Sequence, residues 1–217
     1  MVTLLRRLNA LVSARIRARA ERRVRRDLAR RKAPSYTTDY VSGFQEDWRR
    51  VLAPIAGRPG LRFLEIGSFE GRSAVWFLEH VLTDESSKLV CLDLFSQPGL
   101  EARFDHNIQL VDRHQQTSKL KGRSGDVLPS LEPASFDAIY IDGGHDAGTV
   151  LLDGMLSWRL LKPGGILIFD DYLWEMERSP AKRPQLAIDI FRETMADALE
   201  VLHEGYQVIV RKRSGTS

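Results

Sequence analysis

The chain has a single cysteine, Cys91, among 217 residues. That excludes an internal disulfide framework and a Cys-based zinc finger, and it leads us to expect a reducing, cytoplasmic setting. No apolar run approaches the roughly 18 residues of a membrane span. Pro and Gly are missing between residues 4 and 32, and no aromatic precedes Tyr36. Acidic residues are scarce in the first 33 positions, where Glu21 and Asp27 stand against twelve Lys and Arg. Those 33 residues carry a formal +10 and the remaining 184 carry −7, so the net +3 describes neither part. Overall basicity is therefore no argument for nucleic-acid binding.

What is present divides the chain in two: a basic helical arm over 1–35 and a folded domain over 36–217. The arm is rich in Ala, Leu and Arg, strong helix formers. Leu4, Leu8, Leu11, Val12 and Ile16 recur at spacings of three and four, with Val24 and Leu28 beyond, and Pro34 ends the segment. Two readings of residues 1–33 stay open. One is peripheral contact with an anionic membrane surface. The other is a solvated helix, or one packed on a partner subunit, which makes a homodimer plausible. With no aromatic to stack on bases, nucleic acid is not expected as a partner.

The domain composition is that of a globular chain, 43% apolar and 28% charged over the full sequence. A helix is predicted over Gly43–Ala56, followed by the turn Gly57-Arg58-Pro59-Gly60. Apolar runs then alternate with helical patterns: Leu61–Ile66, Ser73–Leu82, Leu89–Leu94, Phe136–Ile141, Thr149–Leu161, Ile166–Phe169 and Gln185–Leu199. A strand pair, Val201–His203 and Gln207–Arg211, closes the chain. Buried strands alternating with helices indicate a doubly wound α/β sheet. The stretches Phe95–Arg123 and Leu173–Pro184 read as loop-rich and are expected to set substrate choice. Trp76, Phe77 and Trp158 fall in helical patterns and are assigned to the core. Trp174 is assigned to an acceptor pocket.

The first strand ends in Glu65-Ile66-Gly67-Ser68-Phe69-Glu70-Gly71-Arg72-Ser73. A glycine-rich turn opening a helix brings backbone close to a ligand. The G-x-G-x-x-G spacing for a pyrophosphate is absent, and Glu65 would repel one. A cationic ligand without phosphate, such as S-adenosylmethionine, fits better. At the ends of the fourth and fifth strands stand Asp142, followed by Gly143-Gly144-His145, and Asp170-Asp171. Parallel strands bring these three carboxylates into one crevice, where their repulsion calls for a cation. Oxygen ligands suit Mg²⁺, or else Mn²⁺ or Ca²⁺, better than zinc.

The Glu65–Ser73 segment resembles motif I of class I S-adenosylmethionine-dependent methyltransferases. The later segments, Ile141–His145 and Pro163–Asp171, are similar to the metal-dependent group that includes catechol O-methyltransferases and natural-product sugar methyltransferases. The resemblance runs from about Thr38 to Arg213. It implies a Rossmann-like fold with a seven-stranded mixed sheet, the last strand antiparallel and helices on both faces. It implies donor contacts from Glu65, Gly67, Ser68, Gly71, Ser73, Asp93, Gly125 and Asp126, with Asp93 on the ribose and Ser124-Gly125-Asp126 near the adenine. It assigns the metal to Asp142, Asp170 and Asp171, and a small-molecule hydroxyl as acceptor. His145 occupies the position of the family's catalytic lysine and is the candidate base. Asp170-Asp171 replaces the catechol-type Asp-Asn. Alternative readings are a nucleic-acid methyltransferase and a non-catalytic membrane-surface or assembly protein that retains the fold. The first lacks the Asn/Asp-Pro-Pro-Tyr/Phe signature of base amino-methylation.

Overall fold

The computed structural model describes residues 2–215. The elements run α1 (Val2–Leu28), α2 (Gln45–Leu52), β1 (Arg62–Ile66), α3 (Arg72–His80), β2 (Lys88–Asp93), α4 (Leu100–Gln109), β3 (Thr117–Lys121) and α5 (Ser124–Val127). They continue with β4 (Phe136–Ile141), α6 (Ala147–Leu160), β5 (Leu161–Phe169), α7 (Pro184–Thr194), β6 (Leu199–Glu204) and β7 (Val208–Lys212). The strands form one seven-stranded sheet in the order β3-β2-β1-β4-β5-β7-β6. β1 to β5 are mutually parallel, and β7 inserts antiparallel to both β5 and β6. The expected Rossmann-like α/β sheet with an antiparallel last strand is therefore present.

Alternation along the central strands sorts two cores. Phe63, Leu89, Cys91, Ala138, Tyr140, Ile166 and Ile168 face one layer, packed against Trp48 of α2 and Ala74, Phe77 and Leu78 of α3. Leu64, Ile66, Leu92, Ile139, Ile141, Leu167 and Phe169 face the other, packed against Val150 and Leu160 of α6 and Phe191 of α7. Strands buried on both faces read as continuous apolar runs, which explains their legibility in sequence. Helices thus lie on both faces.

Several boundaries differ from expectation. The segment Phe95–Arg123 is no long loop, because it holds α4 and β3. β3 is the sheet edge and reads Thr-Ser-Lys-Leu-Lys, none of it fully buried. Lysines on an edge strand suppress stray pairing and also erase the apolar signal. α7 stops at Thr194 rather than Leu199, which begins β6. β5 starts at Leu161 and runs through Pro163-Gly164-Gly165.

The arm is helical as expected. Leu28 is buried, whereas Val12 and Ile16 are 51% and 65% exposed. The side chains of Leu4, Leu8 and Leu11 lie outside the described residues. No helix among the described residues is long and apolar enough to cross a membrane.

Candidate active site

All the sequence-predicted site residues sit at or just beyond the carboxyl ends of β1 to β5, where open α/β sheets bind ligands. Gly67 follows β1 with φ +91°, and a Cβ there would stand 1.8 Å from the carbonyl oxygen of Asp142. Only glycine allows β1 and β4 to approach this closely. Gly71, at φ +79°, is the left-handed residue from which α3 starts.

Glu65 lies one residue inside β1, in register with Tyr140 on one side and Cys91 on the other. It is fully buried, and neither carboxylate oxygen has a hydrogen-bond partner. Burial pushes its carboxyl above the usual range, and nearby Ser73, Ser68 and Cys91 only partly offset this. The Ser68 hydroxyl is likewise buried without a partner. Unsatisfied buried anions are costly, and such groups persist where a ligand completes them.

Asp93 ends β2 and is already anchored. Its Oδ2 accepts the Phe69 amide at 2.9 Å and its Oδ1 the Phe95 amide at 2.6 Å. Two backbone bonds fix the carboxylate while leaving lone pairs for ligand hydroxyls. Ser73 is buried in the first turn of α3. Gly125 and Asp126 lie on α5, after β3. A cleft beside motif I is lined by Gly67, Ser68, Ser73 and Asp142 together with Thr38 and Tyr40.

The β4 and β5 ends differ from this arrangement. Oxygen and nitrogen atoms of Asp142, His145 and Asp171 lie within 4.8 Å of one another. His145 Nε2 is 2.9 Å from Asp171 Oδ2, and its ring packs on Trp174 at 4.9 Å between centroids. Asp170 is not in that group: its Oδ2 accepts the Tyr140 hydroxyl and its Oδ1 the Asp171 amide. The Tyr140 hydroxyl also lies 3.3 Å from Asp142 Oδ2. Asp142 is held well above the ordinary carboxylate range by burial first, then by the charges of Asp170 and Asp171. The hydrogen bond to Asp171 raises His145. Asp171 itself has φ +61°, a strained conformation for a residue with a side chain.

Sequence reasoning missed three residues. Tyr140 and Tyr206 hold the carboxylates from β4 and the β6–β7 turn, the latter through a 3.0 Å bond to Asp171 Oδ1. Contacts across elements leave no local pattern. Glu70 ties down the segment before α2, accepting the Thr37 amide at 2.6 Å and pairing with Arg103 at 2.9 Å.

The family model of the methyltransferase domain matches residues 64–172, from β1 to just past Asp171. The chain belongs to that family and has the fold of class I, S-adenosylmethionine-dependent methyltransferases. Among curated proteins it resembles the uncharacterized protein R132 of Acanthamoeba polyphaga mimivirus, 28% identical over 60% of this chain and 61% of that one. It also resembles a probable caffeoyl-CoA O-methyltransferase of Arabidopsis thaliana, 22% identical over 61% of this chain and 57% of that one. The matches thus span about three-fifths of those relatives. Among solved structures, the O-methyltransferase TomG of Streptomyces achromogenes, in complex with S-adenosylmethionine, superimposes with a TM-score of 0.62. It is 16% identical, over 92% of this chain and 89% of that one.

Proposed function

We propose that the protein transfers the methyl group of S-adenosylmethionine to a hydroxyl of a small molecule, with a divalent cation organising the acceptor. The observation that carries the reading is the pairing of two unsatisfied sites on one sheet edge. One is a lone buried carboxylate at motif I, and the other is a crowded carboxylate group at the ends of β4 and β5. The donor's charge pattern, a cation without phosphate, fits the first. A hard divalent ion fits the second, where Asp142 and Asp171 offer carboxylate oxygens and Asp170 retains free lone pairs beside them.

The chain's own residues then have distinct roles. Glu65 and Ser68 complete their hydrogen bonding on the donor's methionine end, and Asp93 receives its ribose hydroxyls. Gly125 and Asp126 flank the adenine. His145, oriented by Asp171 through Nε2, takes the acceptor proton at Nδ1. Trp174, packed on His145, forms one wall of the acceptor pocket. When bound, the donor supplies an electrophilic methyl carbon, and the metal lowers the acceptor hydroxyl's pKa. The protein's remaining contribution is alignment, which is large for an in-line transfer.

The test is methyl transfer from labelled S-adenosylmethionine to a panel of hydroxyl compounds, run in Mg²⁺ and in EDTA. Transfer that stops in EDTA and returns with Mg²⁺ supports both parts. Transfer undiminished in EDTA removes the metal, and transfer to nitrogen acceptors alone removes the hydroxyl.

A further inference from the structure

The proposed chemistry makes no use of the arm, yet the arm shares an edge with the site. α1 runs alongside α4 in the same direction. Glu21 Oε2 accepts the Gly99 amide at 2.7 Å, and Val24 covers Gly99 at the start of α4. Further along, Ala33 meets His106 and Ser35 meets Asn107, near the other end of α4. Because α4 follows β2, it starts at the carboxyl edge of the sheet, the edge that carries the site. The part of α1 before Glu21 therefore leads past that edge, a helical stretch roughly 28 Å long at about 1.5 Å per residue.

The projecting stretch is cationic and open. Arg15, Arg17 and Arg19 are exposed on it, as are Arg22 and Arg23 just beyond Glu21, and among the described residues the arm's one ion pair joins Arg25 to Glu21. Val12 and Ile16 stand exposed among them. On the same edge, apolar side chains rim the site: Tyr40 beside the motif I cleft, Leu94 after β2, and Leu173 and Met176 after Asp171. Their exposures run from 40% to 64%. A cationic helix and an apolar rim on one edge match a surface that is anionic outside and apolar beneath. A nucleic acid matches the charge alone, and the arm offers no aromatic for base stacking.

We infer that the arm and the rim dock together on an anionic phospholipid bilayer, with the mouth of the site toward the lipid. The acceptor is then a hydroxyl of a membrane-borne amphiphile, a conclusion that rests on the methyltransferase reading above.

The experiment is vesicle flotation of the full chain with phosphatidylcholine alone and with phosphatidylcholine mixed with phosphatidylglycerol. Binding is expected only to the mixed vesicles, with release at high salt. Changing Arg15, Arg17, Arg19, Arg22 and Arg23 together to Gln should weaken it at least about tenfold, whereas Lys at the same five positions should preserve it. Gln and Lys are both good helix formers, so the helix is retained. Orientation is read from Trp174 emission in vesicles with brominated acyl chains, as the difference from Trp174→Phe. Quenching places the mouth against the membrane, and unquenched emission in bound protein overturns that orientation. Absence of binding to mixed vesicles overturns the docking, as does self-association without lipid binding. A stronger preference for duplex RNA than for mixed vesicles also overturns it. Titration of S-adenosylmethionine into the same preparations separates the two readings, since failure of donor binding sinks the methyltransferase assignment and leaves lipid docking to be judged on flotation.

Discussion

Glu65, near the end of β1, is fully buried and Asp142, just past the end of β4, is half-buried; they stand on adjacent strands, yet their surroundings differ. Glu65 has no hydrogen-bond partner and lies in register between Cys91 and Tyr140, with the Ser68 and Ser73 hydroxyls nearby. Asp142 is crowded by Asp170, Asp171 and the Tyr140 hydroxyl. Each is raised chiefly by burial, but at Asp142 neighbouring charge adds heavily. A solitary anion is completed by one cationic ligand with hydrogen-bond donors. A crowd of anions is relieved by a compact multivalent cation. In the proposed function, two carboxylates thus suit two different ligands, and the fold places them side by side.

The largest disruption should come where the two regions meet. Gly67→Ala puts a methyl group 1.8 Å from the Asp142 carbonyl oxygen at a φ of +91°. It should cost several kcal/mol, on the order of the largest single-site effects, with loss of both sites as seen by thermal denaturation and ligand titration. Next is the crowded side. His145→Gln should lower turnover by about a hundredfold, the scale of a lost general base, with donor affinity unchanged. A fall in donor affinity of the same size would move His145 to the other region. On the lone side, Glu65→Gln should weaken S-adenosylmethionine by about tenfold through loss of a charge-assisted contact, without altering Mg²⁺ affinity.

The smallest effect sharpens the comparison at a third carboxylate, on α6. Asp153 on α6 is fully buried and unpartnered, and burial pushes it up to about 6. The unfolded chain releases this proton near 3.8, so stability should fall as pH rises from about 4 to about 6 and stay low above. The difference is worth up to about 3 kcal/mol. Asp153→Asn should therefore raise stability at neutral pH and flatten that limb in pH-dependent denaturation. An unchanged profile would show that another group satisfies Asp153.

The parts of this picture legible in sequence are those that repeat or end an element. The doubly buried strands stood out as apolar runs, and the carboxylates stood out by following them directly. α4 and β3 did not, because an edge strand is built from Lys, Ser and Thr and resembles a loop. The bonds from Tyr140 and Tyr206 to the aspartates join β4 and the β6–β7 turn to the end of β5, and no spacing within one segment reports them. Asp153 did carry a signal. It falls on the buried stripe of α6 with Val150, Gly154 and Ser157, where a charged residue is out of place.

The most direct test of the central claim is calorimetric titration of S-adenosylmethionine, and separately of Mg²⁺, into wild-type protein, Glu65→Gln and Asp142→Asn. The account predicts a crossed result: Glu65→Gln loses donor affinity and keeps Mg²⁺, while Asp142→Asn loses Mg²⁺ and keeps most of its donor affinity. Equal loss of both ligands in each folded variant, or no loss in either, would contradict it.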